Sequence, residues 1–230
     1  MRARSRDTLA PVTDAGSSPL AKDPLEPLRS PSFLAELRRK AIHLSFLLLP
    51  LELLHPILPW PHSKGQFREL FLLLVVLAIV ADLLRLHEQR FRTFVRKFFG
   101  EMIREHEQSS LLGSTYLLLA ALLAIEIFTQ PVAAAAIGFT VVGDTFAAIV
   151  GKAWGRTRVF NKTVEGFLGG LVACLAWAAF VAATGHLPWT VVVAGAMVAS
   201  VVELLPIPLD DNLGMTLFSG YAMKLLMPHH

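Results

Sequence analysis

The feature that most constrains this chain is the length of its apolar blocks. Leu70 to Ala81 is an unbroken apolar run, and Leu117 to Ile125 is another. A helix needs about 20 mostly apolar residues to cross a bilayer. Several segments reach that length once Trp, His and single charges are allowed at their ends. A buried soluble core explains one such segment, not six or seven in 230 residues. Only 17% of the residues are charged, where a soluble domain carries roughly a quarter, and the mean hydropathy is +0.55. The expected fold is therefore all-α: a polytopic transmembrane helix bundle of about seven spans. Their expected positions are 41–59 (broken near Pro50), 69–86, 111–128, 131–151, 164–184, 188–206 and 212–227.

Residues 1–32 are rich in Pro, Ser, Arg and Asp and lack apolar periodicity, the signature of a disordered tail. A targeting peptide is disfavoured, because no apolar region follows the early arginines and Asp7, Asp14, Asp23 and Glu26 interrupt them. The membrane-embedded domain is expected over 33–230. The single cysteine, Cys174, lies in an apolar run, so no disulfide framework exists within the chain.

Charge distribution orients the spans. With the N-terminus in the cytoplasm, 18 Lys and Arg fall inside and two outside, with Lys224 near the C-terminal end. The positive-inside rule thus predicts a cytoplasmic N-terminus. A multi-pass protein of a prokaryotic cytoplasmic membrane is favoured over one of the endoplasmic reticulum or a plastid. Between the second and third spans, Phe91, Phe94, Val95, Phe98, Phe99, Met102 and Ile103 recur at three and four. A basic amphipathic helix over about 88–106 is expected to lie in the interface, as a scaffold in preference to a lipid-headgroup guide.

Against that apolar background, four polar groups stand out. Asp144 lies inside the fourth span, roughly 10 Å from its inner end at 1.5 Å per residue. A carboxylate there needs a partner or a wet cavity. Gly143, Ala147, Ala148 and Gly151 accompany it at helical spacing. They serve either close helix packing or room for an anion and its metal. The next loop offers Lys152, Arg156, Arg158 and Lys162 to a polyphosphate, with Gly151 and Gly155 allowing close backbone approach. Thr163 is the expected N-cap of the fifth span, whose N-terminus favours anions. Position 166 is Gly166, so no capping box forms and Glu165 is left to orient Lys162 or hold a metal. A positive-inside anchor alone also explains the cations of this loop, though not the carboxylates and glycines among them.

The third group is ELLPIPLDDN at 203–212. Pro206 and Pro208 force a break. Asp210, Asp211, Asn212 and Glu203 then offer oxygen ligands of the kind Mg²⁺ takes alongside substrate phosphates, and one of them is expected to cap the last helix. The fourth is ELRRKAIH at 36–43, where Arg39 and His43 share a helix face. This is either a basic flank or part of a site. Asp82 and Arg85, three apart, are either a structural ion pair or accessory to the site.

These residues carry a resemblance. GDTFAAIVGKAWGRTRVFNKTVEGFLGG at 143–170, preceded by ELRRKAIH and followed by ELLPIPLDDN, resembles the CTP-dependent lipid kinases: dolichol, polyprenol, phytol and diacylglycerol kinases. The Lys162-Thr163-x-Glu165-Gly166 element also resembles that of the related CDP-diacylglycerol synthases, which are typically longer and more acidic here. The kinase resemblance implies transfer of the γ-phosphoryl group of CTP to a membrane lipid alcohol with Mg²⁺ or another divalent cation. It implies catalytic roles for Asp144, Lys162 and Glu165, and metal ligation by Asp144, Asp210 and Asp211. Nucleotide contacts are implied at Gly143, Gly151, Lys152, Gly155, Arg156, Arg158, Thr163 and Gly166. No Walker loop or protein-kinase signature is present, and no nucleic-acid partner is expected. A transporter is the alternative of a different class. Against it, the charged groups gather on one face and no inverted repeat is visible.

Overall fold

A computed structural model describes residues 30–103 and 105–227. The expected tail lies outside the described residues, except that Ser30, Pro31 and Ser32 already belong to the first helix. Ser30 accepts the Phe33 N–H at 3.2 Å and Pro31 occupies the first turn.

Nine α-helices make up the described bundle: α1 Pro31–Ser45, α2 Leu48–Leu54, α3 Lys64–His87, α4 Gln89–Phe99, α5 Gly113–Ile127, α6 Gln130–Trp154, α7 Val164–Ala183, α8 Trp189–Leu204 and α9 Asp211–Leu226. One departure from all-α is a minimal antiparallel hairpin, β1 Arg158–Val159 with β2 Lys162–Thr163, in register Arg158 with Thr163. The basic loop is thus folded back on itself, a pairing too short to leave a period in the sequence.

Three helices, α3, α6 and α7, are long and apolar enough to cross a membrane. Their 24, 25 and 20 residues give about 30–38 Å. The apolar helices α5 and α8 have 15 and 16 residues, or about 23 Å, short of the ~30 Å hydrocarbon core. The expected windows are longer because they include Leu111, Leu112 and Phe128 around α5, and Pro188, Leu205 and Pro206 around α8, which lie outside the helices. The first window differs most. Helix α1 stops at Ser45 and α2 starts at Leu48, because Pro50 has no N–H to offer and its ring clashes with the carbonyl of Phe46. The amphipathic helix is also shorter than expected. It ends at Phe99, and Gly100–Met102 form a 3₁₀ turn.

Exposure of large apolar side chains agrees with a membrane protein. Leu72, Leu73, Val76, Leu77, Val80 and Leu83 on α3 all face outward. Helix α6 is the opposite case. It is the central element, packed against α1, α2, α5, α7, α8 and α9, and its run Ala133–Ala136 is fully buried. Small side chains let its neighbours approach closely, the usual mode of helix packing in membranes. The Trp177 indole fills the space a side chain at Gly138 would need, and its N–H donates to the Ala135 carbonyl at 3.2 Å. Thr140 and Thr216 join α6 to α9 through a buried hydroxyl pair at 2.7 Å.

The polar groups segregate to the two ends of the bundle. At one end Lys64 donates to the Phe128 carbonyl, Gln130 to that of Leu53, and His55 meets His186 edge-on. At the other, Lys152 ties α6 to the start of α1 through the Ser32 carbonyl, and Lys162 ties the hairpin to α9. All four polar groups singled out in the sequence belong to this second end.

Candidate active site

A cavity of about 400 Å³ opens at that end. Its polar lining includes Arg39, His43, Asp144, Asp210, Asp211 and Asn212. These residues come from α1, α6 and the α8–α9 connection, so three separate sequence segments converge on one chamber.

Asp144 faces α1. Its carboxylate makes an ion pair with Lys40, whose side chain is 1% exposed, and lies 3.6 Å from His43 Nε2. Helix α6 continues to Trp154, so Asp144 stands about 15 Å from its end rather than about 10 Å. Lys40 is the partner of Asp144 that the sequence does not single out. Its signal was only one more cation in ELRRKAIH, and its partner is 104 residues away. Arg39 pairs with Glu36 through one guanidinium nitrogen, while its Nε is buried without a hydrogen-bond partner.

The α8–α9 connection supplies the acids. Helix α8 ends at Leu204 before the two prolines, and Asp210 caps α9 by accepting the Asn212 N–H at 2.9 Å. Burial pushes the Asp210 carboxyl above the ordinary range, and the negative charges of Asp211 and Asp144 add to that, against hydrogen bonds from Asn212. Asp211 instead meets Lys162 at 2.9 Å, and the same ammonium lies 3.0 Å from Glu203 Oε1. Burial disfavours the charge on Lys162, but Glu203 and Asp211 outweigh it and hold the ammonium above the usual lysine range. The stabilisation from this pairing is therefore complete below about pH 10, the ordinary lysine value, and is lost as pH rises through the raised value.

Other expected site residues have different employment. Gly143, Gly151 and Gly166 do not open onto the cavity. A side chain at Gly143 would meet Cys174 and Met215, one at Gly151 would meet Thr163, and one at Gly166 would meet the Ala147 carbonyl. Together with Gly170 they form the close seam between α6 and α7, so packing accounts for the small residues. Gly155 packs against Thr163 in the same way. Thr163 is the N-cap, accepting the Gly166 N–H at 3.1 Å. Glu165 does not orient Lys162. It accepts the backbone N–H groups of Arg156 and Thr157 at 3.1–3.2 Å and so shapes the loop. Lys152 is held by Ser32 and Glu36. Arg156 and Arg158 are exposed and do not line the cavity.

With Arg85, Asp82 lines the cavity from within a buried network. It pairs with Arg85 and accepts from Thr115 Oγ1 at 2.7 Å and the Leu112 N–H at 2.9 Å, while Arg85 holds the Glu107 and Ser110 carbonyls. This buried network fixes the segment that roofs the cavity. Much of the lining is apolar: Phe91, Val95 and Phe99 of α4, then Met102 and Ile103. The amphipathic stripe is thus split, with Phe94 and Phe98 facing outward instead.

The profile of the cytidylyltransferase family matches residues 34–206, a stretch that runs from α1 through α8 and contains Lys40, Asp144, Lys162 and Glu203. The chain belongs to the cytidylyltransferase family. Within that wider set it is 25% identical over 167 residues to CTP-dependent diacylglycerol kinase 1 of Schizosaccharomyces pombe, covering 65% of this chain and 76% of that protein. No solved structure matches it. The resemblance to CTP-dependent lipid kinases carried by 143–170 agrees with both findings.

Among the described residues, no group of three or more His, Cys, Asp or Glu forms a metal cage. Mg²⁺ does not require one, since it takes one or two carboxylates and completes its shell with water and substrate phosphates. The donor types suit it: Asp144, Asp210 and Asp211 line one cavity, and Asp210 is partly buried.

Proposed function

We propose that this family member is a CTP-dependent lipid kinase that moves the γ-phosphoryl group of CTP to the hydroxyl of a membrane lipid alcohol. One observation carries the reading. A single cavity is lined both by Arg39, His43, Asp144, Asp210 and Asp211 and by apolar side chains of α4. Such a chamber suits a reaction between a charged donor and a hydrocarbon-bearing acceptor. The yeast relative, a diacylglycerol kinase by name, supports the choice of kinase and makes diacylglycerol the first acceptor to try, before polyprenol, dolichol and phytol.

Phosphoryl transfer asks the protein mainly for positioning and charge neutralisation. Asp144 with Asp210 or Asp211 would hold Mg²⁺, which supplies neutralisation of the phosphate charge when bound. Arg39, with its unpartnered buried Nε, offers a donor to the phosphates. Lys40 keeps Asp144 compensated from behind. Lys162 gathers Glu203 and Asp211. The exposed Arg156 and Arg158 would meet the nucleotide at the cavity's edge.

The assay is direct. Purified protein in lipid vesicles receives CTP labelled at the γ-phosphate, Mg²⁺, and either lipid alcohols or phosphatidate. Labelled lipid phosphate with equimolar CDP is expected. Pyrophosphate release with phosphatidate would instead establish a cytidylyltransferase of the kind the family name describes, and lipid movement without turnover would establish a transporter.

The site end is proposed to face the cytoplasm, on the 18-to-2 excess of cations. Single cysteines at 62–66, in a Cys174→Ser background, should react with an impermeant reagent added outside. Cysteines at 156–160 should react only after permeabilisation. The reverse pattern would place the cavity on the other side.

A further inference from the structure

Asn212 is 8% exposed, lines the cavity, and has a buried Oδ1 with no hydrogen-bond partner. Its orientation is fixed by its other end. Nδ2 donates to the Gly113 carbonyl at 3.2 Å and to Asp210 Oδ1 at 2.9 Å. Turning the amide over would set its oxygen against two acceptors, so Oδ1 is an acceptor by necessity. A buried acceptor left unmatched is unfavourable, and the complementary ligand group is a donor.

The surroundings say which donor. The same lining includes the apolar side chains Phe91, Val95 and Phe99 of α4, with Phe46 of the α1–α2 junction. A ligand filling it places hydrocarbon within one chamber's width of Asn212. A nucleobase offers several polar edges and no hydrocarbon, and the neighbouring acids disfavour bare phosphate. A lipid bearing a hydroxyl matches both halves. Resting on the kinase reading above, we infer that Asn212 is the specificity-determining residue for the acceptor: its Oδ1 receives the O–H of the lipid alcohol and selects alcohols over lipids that lack this donor.

The test reads binding without CTP, so it is independent of turnover. The wild-type protein in nanodiscs is loaded with a fluorescent diacylglycerol. It is then challenged with unlabelled diacylglycerol or with its methyl ether, which keeps the oxygen but has no O–H. The alcohol is expected to compete about 10- to 100-fold better, the effect of one buried hydrogen bond lost. In Asn212→Leu the two competitors should become equal, because the acceptor that tells them apart is gone. Equal competition in the wild type overturns the inference, even if the leucine variant fails to fold. So does a variant that keeps its preference for the alcohol. If the wild type makes no lipid phosphate from any alcohol, the kinase reading falls, whatever the competition shows.

Discussion

Replacing Lys40 with Met is expected to produce the largest loss of stability of any single change at the site, together with loss of activity. The Lys40 side chain is 1% exposed and pairs with an Asp144 carboxylate that is itself 14% exposed. Met keeps the straight stem and removes only the charge. What remains is a carboxylate in a mostly apolar helix, deprived of its buried ammonium, with His43 at 3.6 Å. Removing one partner of a buried ion pair typically costs about 3–5 kcal/mol, because the other charge is left uncompensated. The double variant Lys40→Met with Asp144→Asn removes both charges and should recover most of the stability without recovering turnover. Thermal unfolding in detergent followed by Trp fluorescence, beside the phosphorylation assay, separates the two effects. A Lys40→Met protein that unfolds like the wild type would show that the pair contributes nothing to the fold. A double variant with normal turnover would remove Asp144 from the chemistry.

The same pair shows where a sequence can be read and where it cannot. Asp144 was visible because a carboxylate in an apolar run has no inexpensive explanation. Its partner was invisible because Lys40 sits in a flank where cations need no special reason, and nothing local points 104 residues along the chain. The caps at Thr163 and Asp210 were legible for the opposite reason, since a cap is decided within three residues. The glycines mark the middle ground. Their spacing on α6 shows that something comes close, but only the packed bundle reveals that α7 fills the space. Glu165 follows the same logic. The absence of a capping box left its carboxylate unassigned, and the folded loop then took it for the Arg156 and Thr157 amides. Helix existence was legible from apolar blocks, whereas helix length was not. Pro50 and the two prolines at 206 and 208 set ends that hydropathy windows average over.

Lys162→Gln is expected to lower turnover by about 10²–10³, the usual effect of losing one donor that stabilises transition-state charge. Arg90→Gln is the matched control. Arg90 is exposed on α4, and its loss should be mild, since many other cations remain. If Lys162 were only part of a basic flank, both variants would behave alike. The contacts at Lys162 sharpen the test beyond that comparison. Its ammonium already lies within 3.0 Å of Glu203 and Asp211, so its charge does two separable things. It holds two acids together, and it presents positive charge beside the cavity that Asp211 lines. A double-mutant cycle with Asp211→Asn separates them. With Glu203→Gln carried in every protein of the cycle, a Lys162 that acts only by neutralising the acids should make the double variant no slower than Asp211→Asn alone, because both charges needing compensation are gone. If the ammonium also meets the phosphates of CTP, its removal should slow the reaction further even in the Asp211→Asn background, with a raised KM for CTP. The second outcome is expected, because Lys162 stands one residue before the Thr163 cap of α7, where the positive end of the helix dipole adds to its field. A double variant as fast as Asp211→Asn would confine Lys162 to holding the α7–α9 end of the bundle together, and the phosphate contacts would then fall to Arg39 and the hairpin arginines.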